Sequence, residues 1–305
     1  MSTSAPPVPR PTAGRRLDFR DHRRDLHDNR YVYAVVSRRA RGLSIGINLN
    51  PDKVCNFDCP YCQVDRTVPG AGPEVDPERL EAELDALLSR VADGTLWSIP
   101  PFDTAAPEMR VVRDIAFAGD GEPTSCRQFP EAVDVVGQMR DKYDLADVGI
   151  SLLTNATLLS RPRVQQGLDR LGALGGVVWA KLDAGTDTWF HRVDGTKLPL
   201  RSVVRQITAA AATRPLVLQC LFPTIGGVGP DDTELDAWAA RIGEILAGGG
   251  QIVEVQVTTV ARKPADPSVG ALSTGRLEQI ADRARALGLF VRVYPGLAPT
   301  PEAPQ

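Results

Sequence analysis

The run LSIGINLNPDKVCNFDCPYC, residues 43–62, carries the reading of the fold: a short apolar segment, LSIGINL, passes almost directly into a loop bearing Cys55, Cys59 and Cys62. Three residues separate the first pair of thiols and two the second. Three thiolates so placed can hold three irons of a cubane while the fourth iron keeps no protein ligand, and that iron becomes a place for another molecule to bind. A zinc site would want a fourth ligand, usually in paired C-x-x-C units, and the sequence has no second pair and no His-x-His cluster. A ferredoxin-type carrier would supply four thiolates, and the nearest oxygen candidates, Asp58 and Asp65, are poor substitutes. Structural cysteines are more often scattered through apolar strands than gathered in a polar, proline-containing loop. The spacing therefore points to a [4Fe-4S] cluster on Cys55, Cys59 and Cys62.

Working outward, short apolar runs alternate with helical patterns, as in successive β-α units of a parallel sheet or barrel. Six main strands are expected: LSIGINL, DIAFAG, VGISLLT, VVWAKLD, LVLQCLF and IVEVQVTTV, with LFVRVYP as an added edge strand. Asp76 and Pro77 open a helix whose core face carries Leu80, Leu84, Leu87 and Leu88. A second helix begins near Pro130 and turns Val133, Val136 and Met139 inward. Asp231 with Glu234 three residues on reads as a capping-box variant. Ser273 precedes a last helix with Leu277, Ile280, Ala284 and Leu287 toward the core and Gly288 as its stop.

At 305 residues the chain suits one large α/β barrel or two ordinary domains. A formal charge of -3 excludes a generally basic nucleic-acid binder and leaves such work to local patches. No apolar run of membrane length occurs, and the opening MSTSAPPVPRPTAGRR lacks the apolar core of a secretion signal. Five cysteines fit a reducing, cytoplasmic setting better than a disulfide framework. Residues 1–14 are expected to be disordered, residues 15–42 to form a charged extension, residues 43–295 the core barrel and residues 296–305 a proline-rich tail. Within the extension, RRLDFRDHRRDLHDNR suggests a solvated face with internal ion pairs, while Arg38, Arg39 and Arg41 offer phosphate contacts.

The cysteine loop, with Tyr61 in the place before the third cysteine, resembles the radical S-adenosylmethionine superfamily and its C-x-x-x-C-x-aromatic-C motif. The resemblance implies a partial (β/α)6 TIM-like barrel of the radical SAM type. It also implies a [4Fe-4S] cluster whose open iron is chelated by S-adenosylmethionine, and a flavodoxin- or ferredoxin-type electron donor. Reductive cleavage would yield a 5′-deoxyadenosyl radical that abstracts hydrogen from a substrate. By the same resemblance Tyr61 lies near the adenine, and GDGEP, with Gly119, Gly121 and Glu122, binds the cofactor's amino group. The family form has paired glycines before the glutamate, whereas Asp120 intervenes here.

A barrel collects functional residues where its strands end. Thr154 and Asn155, after the third strand, and Lys181 and Asp183, in the fourth, are accordingly candidates for the cofactor's ribose hydroxyls and carboxylate. Lys181 and Asp183 on one strand face could equally neutralise each other. Residues 257–260 would, by resemblance, present backbone to adenine. Lys53, Cys126, Cys220, His191 and Arg192 are further candidates on or near the rim, each with a plain packing or solvated alternative. The connector GTLWSIPPFDTAAPEMR is a candidate lid.

At finer grain the stretches around the cysteines, with GDGEPT, LLTNATLL, AKLDAGT and VTTVARKPAD, resemble a bacterial group related to the wyosine-base synthases of tRNA, over residues 31–294. That raises a tRNA base, and so RNA, as substrate class, although those synthases usually carry further cysteines for a second cluster and this chain has only Cys126 and Cys220 beyond the trio, too few for one. A glycyl-radical-type activase of a partner protein and a non-catalytic metal-cluster interaction protein are the alternatives.

Overall fold

Strand β2 (Gly42–Ile47) is buried along its whole length, and the chain builds its sheet on both sides of it. The computed structural model describes residues 29–37, 41–262, 264 and 266–296. On one side β1 (Val32–Ser37) pairs antiparallel with β2. On the other follow, all parallel, β3 (Val112–Phe117), β4 (Gly149–Thr154), β5 (Val177–Lys181), β6 (Leu216–Leu221), β8 (Ile252–Thr258) and β10 (Val291–Tyr294). A two-stranded ribbon of β7 (Pro223–Ile225) and β9 (Val269–Ala271) stands apart. The helices between them are α1 (Pro77–Ala92), α2 (Phe129–Lys142), α3 (Pro162–Ala173), α4 (Asp187–Val193), α5 (Leu200–Ala211), α6 (Asp232–Ala247) and α7 (Thr274–Arg285). A mostly parallel sheet with alternating helices is the partial TIM-like α/β fold that the β-α pattern implies.

Local chemistry accounts for the element ends. Asp76 caps α1 by accepting from the backbone of Glu78 and Arg79, with Pro77 in the first turn. Leu80, Leu84, Leu87 and Leu88 are buried as the periodicity requires. The capping box at α6 forms only in part. Asp231 accepts from the Glu234 backbone, but the Glu234 side chain reaches across to Gly185 N and Thr186 Oγ1 at the end of β5 instead of back to its own helix start. In α7, Leu277, Ile280 and Ala284 are buried, whereas Leu287 is 38% exposed because the helix has ended at Arg285 and Gly288, at φ +80°, turns the chain away.

Two further differences from the sequence reading concern topology. β1 belongs to the stretch expected as a charged extension: YVYAVV is apolar enough to pair with β2, and Glu83 of α1 accepts the backbone N–H groups of Arg30, Tyr31 and Val32. The connector of residues 94–110 is no lid over the strand ends that follow the cysteines. It leads into β3 at the opposite, N-terminal end of the sheet, where Leu96, Phe102 and Ala105 are buried and Val111 O accepts from Leu43 N at the start of β2. The disorder expected for residues 1–14, Arg38 and Arg39, and nearly all of the tail lie outside the described residues.

Alternation along the strands separates two faces. Leu218 and Cys220 of β6 and Phe222 beyond it belong to the helix-facing layer, where Phe222 meets Trp238 of α6 edge to face at 5.2 Å. Trp179, Lys181 and Asp183 from β5 outward take the opposite, inner face, as do Val217 and Gln219, their register partners or same-face neighbours on β6.

Candidate functional site

Strand β2 ends at Ile47 and hands the chain to the cysteine loop through two asparagines that the sequence reading did not single out. Asn48 Oδ1 accepts from the backbone of Asn50 and of Asp120, and its Nδ2 donates to Asp120 Oδ2 at 2.8 Å. Asn50 Nδ2 donates to Ser125 Oγ at 3.0 Å. These bonds lock GDGEP, which follows β3, against the start of the cysteine loop. The packing there excludes any side chain at its glycines. A Cβ on Gly119 would stand 2.3 Å from Asn48 Oδ1, and one on Gly121 would stand 2.2 Å from Val54 O, the carbonyl just before Cys55.

Glu122 is buried, and its carboxylate is fully engaged inside the protein. Oε1 accepts from Thr124 N, Thr124 Oγ1 and Thr154 Oγ1, and Oε2 accepts from Asn155 N at 2.7 Å. The side chain thus ties the end of β3 to the end of β4. Burial pushes the Glu122 carboxyl above its usual range, against the opposing pull of these donors. Asn155 is committed in a similar way. Its Nδ2 donates to Asn56 Oδ1, Asn56 Nδ2 donates to Thr157 Oγ1, and Thr157 Oγ1 returns to Asn155 Oδ1, a closed ring that fastens the cysteine loop to β4.

On the far side of the loop the cysteines meet a buried charge cluster. Lys181 Nζ pairs with Asp183 Oδ2 at 2.7 Å and lies 5.0 Å from the Tyr61 ring centroid. The Tyr61 hydroxyl sits 2.6 Å from Asp183 Oδ2 and 3.1 Å from Asp194 Oδ1. Asp194, at the end of α4, is 2% exposed and had no signal in the sequence beyond its place before a glycine. Its backbone carbonyl accepts from Asp58 N, and Gly195, at φ +58°, is held so close that a Cβ would meet Asp58 O at 2.0 Å. Burial, then the Asp183 carboxylate, raises the Asp194 pKa well above the carboxylate range. Burial works against the Lys181 ammonium, but Asp183 and Asp194 outweigh it and hold its pKa above the ordinary lysine value. Burial and the same two acids push the Tyr61 phenol well up, so it remains a donor.

All three loop thiols are half-buried and free of disulfides. Cys62 N donates to Cys59 O, closing the turn between them, and the Arg66 guanidinium donates to Cys62 Sγ at 3.4 Å. Burial pushes the Cys55 thiol up, and burial with Asp194 pushes Cys59 up further. Coordinated iron would replace those protons, since metal ligands bind deprotonated. In a cubane each thiolate binds its own iron, so the three need not converge on one point. Among the described residues no three of His, Cys, Asp or Glu gather closely enough for a single ion. Soft thiolates on a loop stiffened by Asn56, Arg66 and Asp194 suit a cluster.

The remaining sequence candidates are otherwise occupied. Lys53, at φ +61°, donates to Asp65 O and Val68 O and clamps the loop. Cys220 is fully buried on the helix-facing side, so it does not reach the inner face. Cys126 is half-buried, its thiol raised to about 11 by burial. His191 is exposed, its Nε2 3.1 Å from Leu198 O, and Arg192 donates to Ile225 O. In residues 257–260, Val257 is core and the Thr258 carbonyl accepts from Phe222 N.

Known proteins resemble this chain in sequence and in fold. A UPF0026 protein of Helicobacter pylori (strain J99) is 28% identical over 166 residues, 53% of this chain and 46% of that protein. One of Synechocystis sp. is 24% identical over 62% of this chain and 64% of its own length. The chain spans about half the length of the first of these relatives. Among solved structures, SuiB of Streptococcus suis bound to S-adenosylmethionine superposes with a TM-score of 0.54 at 11% identity, over 84% of this chain and 52% of that one. TYW1 with a lysine-pyruvate adduct bound does so at 0.50 and 12% identity, over 84% of each chain. These likenesses concern the fold. The profile of the Radical SAM superfamily matches residues 49–213, more than half of the chain, and the protein belongs to that superfamily, whose cofactors are a [4Fe-4S] cluster and S-adenosylmethionine.

Proposed function

We propose that this protein is a radical SAM enzyme that carries its cluster on Cys55, Cys59 and Cys62 and acts on a hydrogen-bearing substrate, an RNA base being the favoured class. When bound, the cluster and S-adenosylmethionine together supply a 5′-deoxyadenosyl radical that takes a hydrogen atom, the protein contributing placement. The observation that carries the reading is convergence: the cysteine loop, the GDGEP backbone, the end of β4 and the Lys181, Asp183 and Tyr61 cluster meet at one rim of the sheet through direct hydrogen bonds.

The chain's own groups divide the work. Gly119 and Gly121 let Asn48 and the Val54 carbonyl pack against GDGEP, whose backbone carbonyls would accept from an ammonium group. Glu122 and Asn155 are positioning residues that hold this backbone and the cysteine loop in register. Lys181 offers a point charge to a carboxylate, and Asp183 accepts from hydroxyls. Tyr61 presents a ring face beside them. The buried polar network at the rim limits the access of water to the reacting centre. Residues 43–295 form the core that does this, a flavodoxin- or ferredoxin-type protein supplies electrons, and the setting is cytoplasmic. No helix among the described residues is long and apolar enough to cross a membrane.

Anaerobic reconstitution with iron and sulfide, followed by dithionite and S-adenosylmethionine, tests the reading: 5′-deoxyadenosine should accumulate, and its absence from cluster-loaded protein overturns it. Binding of total tRNA that weakens steeply with salt supports the RNA assignment; salt-independent or absent binding removes it.

A further inference from the structure

One row of the inner face crosses four neighbouring strands with polar side chains where barrels of this kind are commonly filled by Val, Ile and Leu. Lys181 on β5 is in register with Gln219 on β6, Gln219 with Gln256 on β8, and Gln256 with Arg292 on β10. Lys181 is taken by Asp183 and Arg292 lies 3.8 Å from Glu254, but the two glutamines between them are not settled. Gln219 is 8% and Gln256 2% exposed. Gln256 donates to Glu254 Oε1 at 3.0 Å, leaving its own Oε1 without a partner, and Gln219 Nε2 has none either among the described residues. Ser151 Oγ, buried on β4, is in the same condition.

A buried donor and a buried acceptor on adjacent strands, both unpaired, cost stability that two apolar side chains of similar shape would not. Nearly every buried polar group in a native protein has a partner, and a bound ligand is one source of it. The complement of an amide N–H beside an amide C=O is an acceptor beside a donor, which is the –CO–NH– edge of a lactam. One residue row toward the N-terminal end of β5 stands Trp179, half-buried on this same face and in register with Val217, two residues before Gln219. An indole beside a donor–acceptor edge suits a flat ring: stacking on one side and edge hydrogen bonds on the other are how unstacked bases are held.

Resting on the radical SAM reading above, we propose that Gln219 and Gln256 form a substrate-reading pair for the lactam edge of a planar heterocycle. Gln219 Nε2 donates to the ring carbonyl, Gln256 Oε1 accepts from the ring N–H, and Trp179 lies against the ring. The site is one residue row below Asp183, next to where the cofactor's residues gather. The ring is presented either as a free nucleoside or as an unpaired nucleotide of RNA, and the two sources are separated by experiment.

The test uses full-length, cluster-loaded protein with S-adenosylmethionine and no reductant, reading tryptophan fluorescence. Uridine and inosine form one arm and total tRNA the other; 3-methyluridine and 1-methylinosine, in which the ring N–H is blocked, are the controls. Saturable quenching by the nucleosides or by tRNA is expected, the arm that binds more tightly naming the source. N-methylation should weaken nucleoside binding at least tenfold, Gln219→Leu should weaken binding in either arm at least tenfold, and Trp179→Phe should abolish the quench. A merely structural glutamine would lower the thermal midpoint when replaced. Here Gln219→Leu should leave the midpoint unchanged or raise it, and Gln256→Leu, which removes the acceptor, should weaken binding at least tenfold. No binding in either arm, equal binding of methylated and parent nucleosides, or Gln219→Leu protein that binds like the parent overturns the pair. The radical SAM reading is scored separately by 5′-deoxyadenosine formed on adding dithionite without substrate: if that persists while the pair fails, only the pair is lost.

Discussion

The two ends of the sheet are built on opposite chemistry. At the N-terminal end, residues 94–110 close the strands with Leu96, Phe102 and Ala105, an apolar plug that asks for nothing but burial. At the C-terminal end the buried polar residues include Asn48, Asn50, Glu122, Thr124, Thr154, Asn155, Asp183 and Asp194, joined in bonds that span four strand ends. Apolar packing stabilises the first end without specifying a ligand. The second end retains polar groups that cost desolvation, and it recovers that cost only because almost every one has a partner. The difference separates the part of the fold that stabilises from the part that binds.

The largest effect should come from the thiols. Cys59→Ser should leave iron content and visible cluster absorption near background after anaerobic reconstitution, with 5′-deoxyadenosine below detection, while the apo protein unfolds at nearly the parent's midpoint. Retention of the parent spectrum would break the assignment of the rim as the cluster end.

Phe102→Ala probes the other end. Truncating a fully buried aromatic should cost about 3–5 kcal/mol in denaturant unfolding, while cluster loading and deoxyadenosine yield per folded molecule stay at parent levels. A loss of chemistry out of proportion to stability would show that the two ends are not separable.

Gly121→Ala sharpens the comparison from within the rim. Its Cβ would collide with Val54 O and Asn50 Cβ, so backbone beside Cys55 must move. A stability cost of about 1–3 kcal/mol is expected, together with iron content reduced several-fold, measured on the same preparation. The equivalent change at Gly243 inside α6, where a Cβ meets nothing, should leave iron content unchanged and raise stability by about 0.5–1 kcal/mol.

The smallest effect belongs to the surface. Arg276 and Arg283 hold the Asp232 carboxyl below its usual range. A folded pKa below the unfolded one contributes stability above the ordinary carboxylate pKa, and that contribution is lost as pH falls through the folded value. Asp232 is exposed, so Asp232→Asn should lower the thermal midpoint near neutral pH by no more than about a degree or two. The difference should close in acid and in high salt.

Much of this was legible without coordinates wherever the determining interaction is local. Asp76, Pro77 and Ser273 announce their helices because a cap bonds within its own first turn. The leucines of α1 and the strands from LSIGINL to IVEVQVTTV follow from periodicity. Elements whose role depends on a distant partner were less legible. Glu234 reads as half of a capping box and instead bonds the end of β5, about fifty residues away in sequence. Nothing in the local sequence around Glu122 announces its bonds to Thr154 and Asn155 at the end of β4. The connector reads as a lid because length alone does not say which end of a sheet it closes.

By itself the sequence determined the thiol trio, its place after the first core strand, and the β-α alternation, since each is a matter of spacing along one chain. Only the tertiary structure decided that Asp194 and Gly195 press on that loop, that Asn48 and Asn155 fasten it, and that Gln219 faces Gln256 across two strands. Those relations join residues far apart in sequence, and the hydrogen bonds that create them exist only once the sheet has brought its strand ends together.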